Sequence, residues 1–389
     1  MGNVNFEFLD RTPIENVITC LNYSIDKVIF FGYQEVIDVE KSKTERFLIK
    51  YCGVKKVVFL AVSHDDLDSI VRTMSKEIER EIADDNKLYF DLTGGAELVL
   101  VAFGKLSEKY ATPMHKYNIA SDKLIELNTD KTNSISSVLD EQAIKLTIDM
   151  YIELQGGIIN YNLHKSVKSD SNEDFKNDVA NIWQVAKQRW EYWTSFSDFM
   201  RNNMVPDSNL EVSASKRIIQ RELSLSNTKL KRVEDFEMFI RELANIGVIK
   251  NVELNQNNYR FRFKNSMIKD CLWEGGSILE LNTYHKQKLI SDECMIGVHI
   301  DWDGTIYNEP GRDVLNEIDV LSIKGKVVTF ISCKTGKMGP QQALHALYEL
   351  QTVANRFGDK YSKKVLITAR PLADVYMERA EEMGIEVIM

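Results

Sequence analysis

Asn316-Glu317-Ile318-Asp319-Val320-Leu321 and, thirteen residues past Asp319, Ser332-Cys333-Lys334-Thr335-Gly336 bracket a plain Lys324-Gly325-Lys326 turn. Both flanks read as strands, Val314–Ile323 and Lys326–Lys334, joined by a tight turn. Asp319 lies six residues before Gly325 and Ile331 six after it, so an antiparallel hairpin sets Asp319 beside Ile331–Cys333. With a side-chain period of two, Glu317 and Asp319 share one face, and so do Ser332 and Lys334. Carboxylates therefore meet a lysine across the hairpin. They form either a structural salt bridge or a reactive site.

The bulk properties narrow the choice. A chain of 389 residues suits two or three domains, and 44% hydrophobic with 28% charged residues is ordinary for a globular protein. A net charge of −9 argues against coating nucleic acid through the overall field, while leaving room for a local basic site. Cys20, Cys52, Cys271, Cys294 and Cys333 form no CxxC pair, which disfavours a disulfide framework or a zinc site. Neither a signal sequence nor an apolar run of about 18 residues is evident, so the expectation is a cytoplasmic protein with no membrane partner.

The first third alternates strands (Asn3–Leu9, Lys27–Gly32, Lys56–Val62, Leu88–Leu92, Met114–Asn118) with helices (Pro13–Tyr23, Lys43–Cys52, Asp65–Ala83, Ala96–Tyr110). That rhythm predicts a parallel, doubly wound sheet. Thr129–Ser137 reads as a linker, Leu139–Gln155 as helical and Ser166–Asp174 as a polar break. Phe175–Asn203 is helix-like, and Trp183, Trp190 and Trp193 read as its buried stripe rather than a base-stacking surface. Helix Val233–Ile246, Gly247, strand Val248–Leu254, turn Asn255–Asn258 and strand Tyr259–Phe263 outline a winged helix. Lys216, Arg217, Arg221, Lys229, Lys231 and Arg232 make this the most basic neighbourhood, a DNA-reading surface, a solvated face or a dimer contact. A separate α/β unit follows: helix Ile278–Leu289, strands Glu293–Trp302, Val314–Ile323 and Lys326–Lys334, helix Pro340–Phe357, strand Lys364–Thr368, helix Asp374–Gly384 and a final strand. The expected division is 1–137, 138–268 and 269–389.

Phe90-Asp91-Leu92-Thr93-Gly94-Gly95-Ala96-Glu97 places a hydroxyl and two glycines between a strand and a helix. Paired glycines admit a ligand close to the backbone, and the new helix offers N–H groups to an anion. This is neither GxGxxG nor a Walker loop. Asp91-Leu92-Thr93-Gly94-Gly95 resembles the Thr-Gly-Gly turn of CARF domains, the CRISPR-associated Rossmann-like sensors of cyclic oligoadenylates. Leu9-Asp10-Arg11-Thr12-Pro13-Ile14-Glu15-Asn16 likewise looks like that family's first strand-to-helix loop, beside the same ligand. The resemblance covers roughly residues 1–130 and implies ligand contacts from Asp10, Arg11, Thr12, Thr93, Gly94, Gly95, Ala96 and Glu97. Family members often have Thr-Lys after the glycines; this chain has Ala96-Glu97.

Two acids and a lysine on adjacent strands are what metal-assisted phosphodiester cleavage requires. The carboxylates hold a hard cation that lowers the pKa of bound water, and the lysine stabilises developing charge. Asp319 with Ser332-Cys333-Lys334 resembles the PD-(D/E)xK nuclease core. The resemblance implies Glu280 (in Gly276-Ser277-Ile278-Leu279-Glu280), Asp319, Ser332 and Lys334 as catalytic. It also implies Glu280, Asp319 and the Cys333 carbonyl as metal ligands, with Glu317 as a further candidate. Gln341 and Gln342 near the start of the next helix suit the pattern. Ser332 departs from it, since the family usually has an acid or amide there. A competing stretch, Asp301-Trp302-Asp303-Gly304-Thr305, resembles the nucleophile loop of haloacid-dehalogenase-like phosphatases but lacks the later acidic cluster that family needs.

Together the resemblances imply an α/β protein with three parts: an N-terminal Rossmann-like CARF domain, a helical and winged-helix-like connecting region, and a C-terminal restriction-endonuclease-like domain. They imply a CARF-domain effector nuclease of type III CRISPR systems, a homodimer that cuts DNA or RNA. Its activator would be a cyclic oligoadenylate such as cyclic tetra-adenylate, and its cofactor Mn²⁺ or Mg²⁺. The alternative is a ligand-gated winged-helix transcription regulator with an inactive nuclease-like domain.

Overall fold

In the computed structural model, which describes residues 2–127, 144–163, 172–226, 229–273, 277–307 and 315–389, the first third winds into a six-stranded sheet of order β3-β2-β1-β4-β5-β6. Strands β1 (Asn3–Phe8), β2 (Lys27–Gly32), β3 (Lys56–Ala61), β4 (Lys87–Asp91) and β5 (Met114–Asn118) are parallel. β6 (Lys123–Glu126), absent from the sequence reading, adds an antiparallel edge. β1 and β2 are buried along almost their whole length, as parallel strands covered by helices must be; β2 is mainly apolar, whereas β1 also buries Asn5 and Glu7. The order reverses between β1 and β4, so their carboxyl ends flank a crevice where ligands of such sheets bind.

The helices are α1 (Ile18–Asn22), α2 (Gln34–Cys52), α3 (Leu67–Ala83) and α4 (Glu97–Tyr110). The expected helix over Pro13–Tyr23 is split into a 3-10 turn (Pro13–Asn16) and α1, because Val17 at φ −131°, ψ −10° leaves helical geometry. Helix α2 begins well before Lys43. Its N-cap, Tyr33, makes no side-chain cap, so the sequence carries no start signal there. The Thr129–Ser137 linker and most of the Ser166–Asp174 break lie outside the described residues.

Helix α5 (Ile148–Leu154) is capped by Thr147, whose Oγ1 accepts from Met150 N at 3.2 Å. It leads to β7 (Ile158–Ile159). α6 (Glu173–Gln188) and α7 (Trp190–Asn203) are two helices, broken at Arg189 (φ −141°, ψ 49°), where one was expected. Trp183, Trp190 and Trp193 are all buried. β8 (Glu211–Ser215), α8 (Lys216–Leu225), α9 (Val233–Asn245), β9 (Ile249–Leu254) and β10 (Asn258–Phe263) complete a helix-strand-helix-helix-strand-strand unit. Its antiparallel sheet of order β8-β10-β9 has the winged-helix topology. α10 (Ser266–Trp273) leads onward.

The last unit holds α11 (Ser277–Lys288), β11 (Glu293–Asp301), β12 (Leu315–Lys324), β13 (Val327–Lys334), α12 (Pro340–Phe357), β14 (Lys363–Thr368), α13 (Asp374–Glu382) and β15 (Ile385–Ile388). The sheet order is β15-β14-β13-β12-β11-β7, with β13, β14 and β15 parallel. The β12–β13 turn has two central residues, Gly325 (φ +58°) and Lys326, with Lys324 paired to Val327. The register is therefore one residue on from a turn centred at Gly325. Val320 faces Ile331, and the next pair sets Asp319 against Ser332.

One apolar core joins the first and last units. Leu9, Ile14 and Phe47 pack in it with Tyr151, Ile152, Ile318, Leu347 and Phe357. The seam is tight at Gly157, where an added Cβ would lie 2.5 Å from Phe357 Cε1 and 3.2 Å from the Asp301 carbonyl oxygen. No helix among the described residues is long and apolar enough to cross a membrane. Overpacking of such a site costs about 1–3 kcal/mol. Gly157→Ala should accordingly lower the thermal midpoint by a few degrees, followed by circular dichroism, whereas Gly336→Ala, with nothing within 4 Å of its added Cβ, should not.

Candidate functional site

The hairpin register builds the first site. Asp319 Oδ2 accepts the backbone N–H of Cys333 at 2.6 Å and the hydroxyl of Ser332 at 3.2 Å. Its Oδ1 makes no hydrogen bond among the described residues. Burial pushes the Asp319 carboxyl above the ordinary aspartate range, a rise only partly offset by the Cys333 N–H, the Lys334 charge and Ser332. Asp319, Ser332 and Lys334 line one cleft of about 90 Å³ with Glu317. The Cys333 side chain points to the other side of the strand, where its Sγ lies 3.7 Å from Thr283 Oγ1 of α11 and burial pushes the thiol up. Glu280, in the first turn of α11, is half-buried and close enough to Cys333 for its charge to raise that thiol further. The structure thus brings Asp319, Ser332, the Cys333 backbone and Lys334 together, whereas Glu280, on α11, is not among the residues lining their cleft.

Sequence reasoning missed Glu349. It comes from the middle of α12 and lines the same cleft, its Oε2 3.6 Å from Lys334 Nζ. Gln342, flagged on the same helix, instead accepts the Gly339 N–H at 2.7 Å and closes the helix start. Asp301 of the competing stretch is buried, and its Oδ1 accepts three backbone N–H groups, from Asp303 (3.1 Å), Gly304 (2.9 Å) and Thr305 (3.1 Å). That carboxylate staples a turn.

The second site is the crevice between β1 and β4. Beneath it, buried Asp91 accepts from Thr19 Oγ1 and from Thr93 N (2.7 Å) and lies 3.4 Å from His115 Nε2. Burial would raise this carboxyl, but the His115 charge and these hydrogen bonds outweigh it and hold Asp91 at about 2. Thr93 Oγ1 accepts Tyr117 N at 2.8 Å, so the turn is pinned from below. Gly95 sits at φ +152°, where side chains are strained. Ala96 provides no side-chain cap to α4, leaving first-turn N–H groups for an anion, with Glu97 beside them.

Across the crevice, Asp10 is fixed by Asn16, whose Oδ1 accepts Asp10 N and whose Nδ2 donates to Asp10 O, both at 2.8 Å. Thr12 N donates to Asp10 Oδ1 at 2.8 Å. Arg11 is exposed, 4.0 Å from Glu35. A Cβ on Gly94 would lie 3.1 Å from Asp10 Cβ and 3.5 Å from Glu15 Oε2, so the two loops touch. Glu15 is buried, and its Oε1 takes hydrogen bonds from Tyr361 OH (2.6 Å) and Lys360 Nζ (2.9 Å), both from the loop after α12. Its Oε2 is buried with no hydrogen-bond partner among the described residues. Desolvation raises the Glu15 carboxyl against the pull of those two donors. This junction was invisible to sequence patterns because its partners lie 346 residues apart.

Residues 270–389 match the family model described as Card1-like, endonuclease domain. Among curated proteins none matches the chain. The fold is similar along 99% of the chain to the crystal structure of protein VC1899 from Vibrio cholerae, at a TM-score of 0.72 and 17% identity, covering 93% of that protein. Can2 from Sulfobacillus thermosulfidooxidans, solved in complex with cyclic tetra-adenylate, matches 99% of the chain and 92% of its own length at a TM-score of 0.62 and 15% identity. A type III CRISPR defence DNA nuclease activated by cyclic oligoadenylate aligns with 95% of the chain over 45% of its own, at a TM-score of 0.52 and 11% identity. The last third of this protein thus resembles a Card1-like endonuclease domain, and the chain as a whole shares its fold with protein VC1899, with Can2 and with the type III CRISPR defence DNA nuclease.

Proposed function

We propose that the protein is a metal-dependent nuclease switched on by a cyclic oligoadenylate bound at the β1–β4 crevice, acting as a homodimer. The observation that carries the reading is the shared cleft of Asp319 and Lys334 inside the segment matched by the endonuclease family. A divalent cation fits the donor set in kind: Asp319 offers an unbonded Oδ1, and a carboxyl raised by burial gains from a cationic neighbour. Among the described residues, no three His, Cys, Asp or Glu side chains converge into a ready metal site. Asp319, the Cys333 carbonyl and Glu280 would hold the cation, which supplies a water of lowered pKa and polarises the phosphate. Lys334 neutralises charge developing on the phosphate oxygens, and the Cys333 N–H holds Asp319 in place.

The transcription-regulator alternative draws no support from the winged helix. α9, in the position of a recognition helix, carries Glu234, Asp235, Glu237 and Glu242 against Arg241 alone. Of the basic neighbours, Lys216 pairs with Glu237, Lys229 with Glu191 and Arg232 with Asp235. Phosphate backbone binding needs unpaired cations on the contacting face.

The Glu15 junction supports a route from ligand to nuclease. Gly94 of the proposed ligand turn faces Asp10 and Glu15, which any side chain there would meet, and Glu15 bonds directly to the loop that ends α12. Helix α12 then runs back about 12 Å, at 1.5 Å per residue, from Phe357 to Glu349 beside Lys334.

Lys334→Ala should lower metal-dependent cleavage of a fluorogenic oligonucleotide about 10²-fold or more while leaving cyclic tetra-adenylate binding intact; cleavage at the wild-type rate refutes the nuclease reading. Gly94→Val should weaken calorimetric binding of cyclic tetra-adenylate. Glu15→Gln should retain that binding yet lose its stimulation of cleavage, and full stimulation would rule out the junction as the route. Stability gives an independent check on Asp319. Its folded pKa is raised, so the ionised form opposes folding above that pKa, and the penalty vanishes below the unfolded value of about 3.9. In metal-free buffer Asp319→Asn should raise the thermal midpoint near pH 8, and the gain should close by about pH 4.

A further inference from the structure

Ser332 puts a hydroxyl where a carboxylate would stand, so the hairpin itself brings only the carboxylates of Asp319 and Glu317 to the cleft. A hard divalent cation is held by several anionic oxygens. Position 332, two residues before the lysine on the cleft face, offers only a hydroxyl already bonded to Asp319. Another element brings a carboxylate to that cleft. The buried stripe of α12 (Ala343, Ala346, Leu347, Leu350, Val353, Ala354) packs onto the sheet, which sets Glu349 at the stripe's edge. There its Oε2 leans to within 3.6 Å of Lys334 Nζ rather than pointing into solvent. The side chain is 47% exposed and 3.9 Å from His345 Nδ1, so it keeps the rotational freedom to turn from the lysine toward a cation.

We propose that Glu349 supplies the carboxylate missing at position 332, holding the divalent cation with Asp319 from helix α12 instead of strand β13. The inference rests on the nuclease reading above. The competing role is a plain counter-ion that positions Lys334. The two differ in what the metal feels, because a ligand sets cation affinity and a counter-ion leaves it alone.

Mn²⁺ uptake by the full chain, without nucleic acid and followed by electron paramagnetic resonance of the free ion, separates them. Glu349→Gln should weaken Mn²⁺ binding at least about tenfold, the scale on which even outer partners of metal ligands act. Adding Ser332→Glu to that variant should recover affinity and cleavage together. A folded Glu349→Gln protein, judged by its thermal midpoint, with unchanged Mn²⁺ affinity overturns the proposal alone, provided Asp319→Asn still weakens uptake. A wild-type chain that takes up no Mn²⁺ overturns the nuclease reading with it.

Discussion

The hydrogen bond from the Cys333 N–H to Asp319 Oδ2 is the constraint on which the candidate centre depends. It forms because a two-residue turn at Gly325–Lys326 sets Asp319 opposite Ser332. A slip of one residue would turn either strand's whole side-chain set to the other face. Ile318, Val320 and Ile331 would then leave the core, and Asp319 and Lys334 would part. The apolar neighbours thus fix the register, and the register brings acid and lysine together. The cost is visible in Asp319, whose carboxyl is raised by burial despite three favourable neighbours. Groups held in an unfavourable ionisation state beside a cleft are where chemistry is commonly found.

The first domain obeys a similar logic with the opposite sign. Asp91 is fully buried, yet His115, Thr19 and Thr93 satisfy it so well that it stays ionised. A buried ion with its partners in place rigidifies what it touches, and here it touches the Thr93 backbone at the base of the glycine turn. Glu7, paired with Asp91 across β1 and β4, shows the other outcome: burial and the Asp91 charge push its carboxyl far up. One proton shared unequally between neighbouring strands suits a stiff floor beneath the crevice.

Local features were legible in the sequence and long-range ones were not. The alternation of the first third, the glycine turn and the hairpin each depend on patterns within about ten residues, and each is present, though not at every expected boundary. The register missed by one residue because Lys324-Gly325-Lys326 accommodates two turn lengths, and only the packing of Val320 and Ile331 chooses between them. Helix α2 started early because Tyr33 gives no cap to read. Glu349 carried no signal at all: an acid at the edge of an amphipathic stripe looks like any solvated residue until the neighbouring strand is in place. Glu15 was quoted only as part of a loop, since its partners Lys360 and Tyr361 arrive from the far end of the chain.

If the two sites are coupled as proposed, the Glu15 junction would let them be so without touching. A ligand shifts an equilibrium only through its different affinity for two states, so some element must have two states to choose between. Glu15 has the properties of such an element. One oxygen is tied to Lys360 and Tyr361, the other is buried without a hydrogen-bond partner among the described residues, and its carboxyl is raised by desolvation. Any group that enters beside Gly94 changes the surroundings of that free oxygen. A stronger donor there would draw the carboxylate toward the crevice and loosen Lys360 and Tyr361, and a competing anion would drive it the other way. Either change reaches a rigid helix whose middle holds Glu349 against Lys334. On the proposed reading, a single buried carboxylate would link the crevice to the hairpin, because it bonds to the loop that ends the helix carrying Glu349.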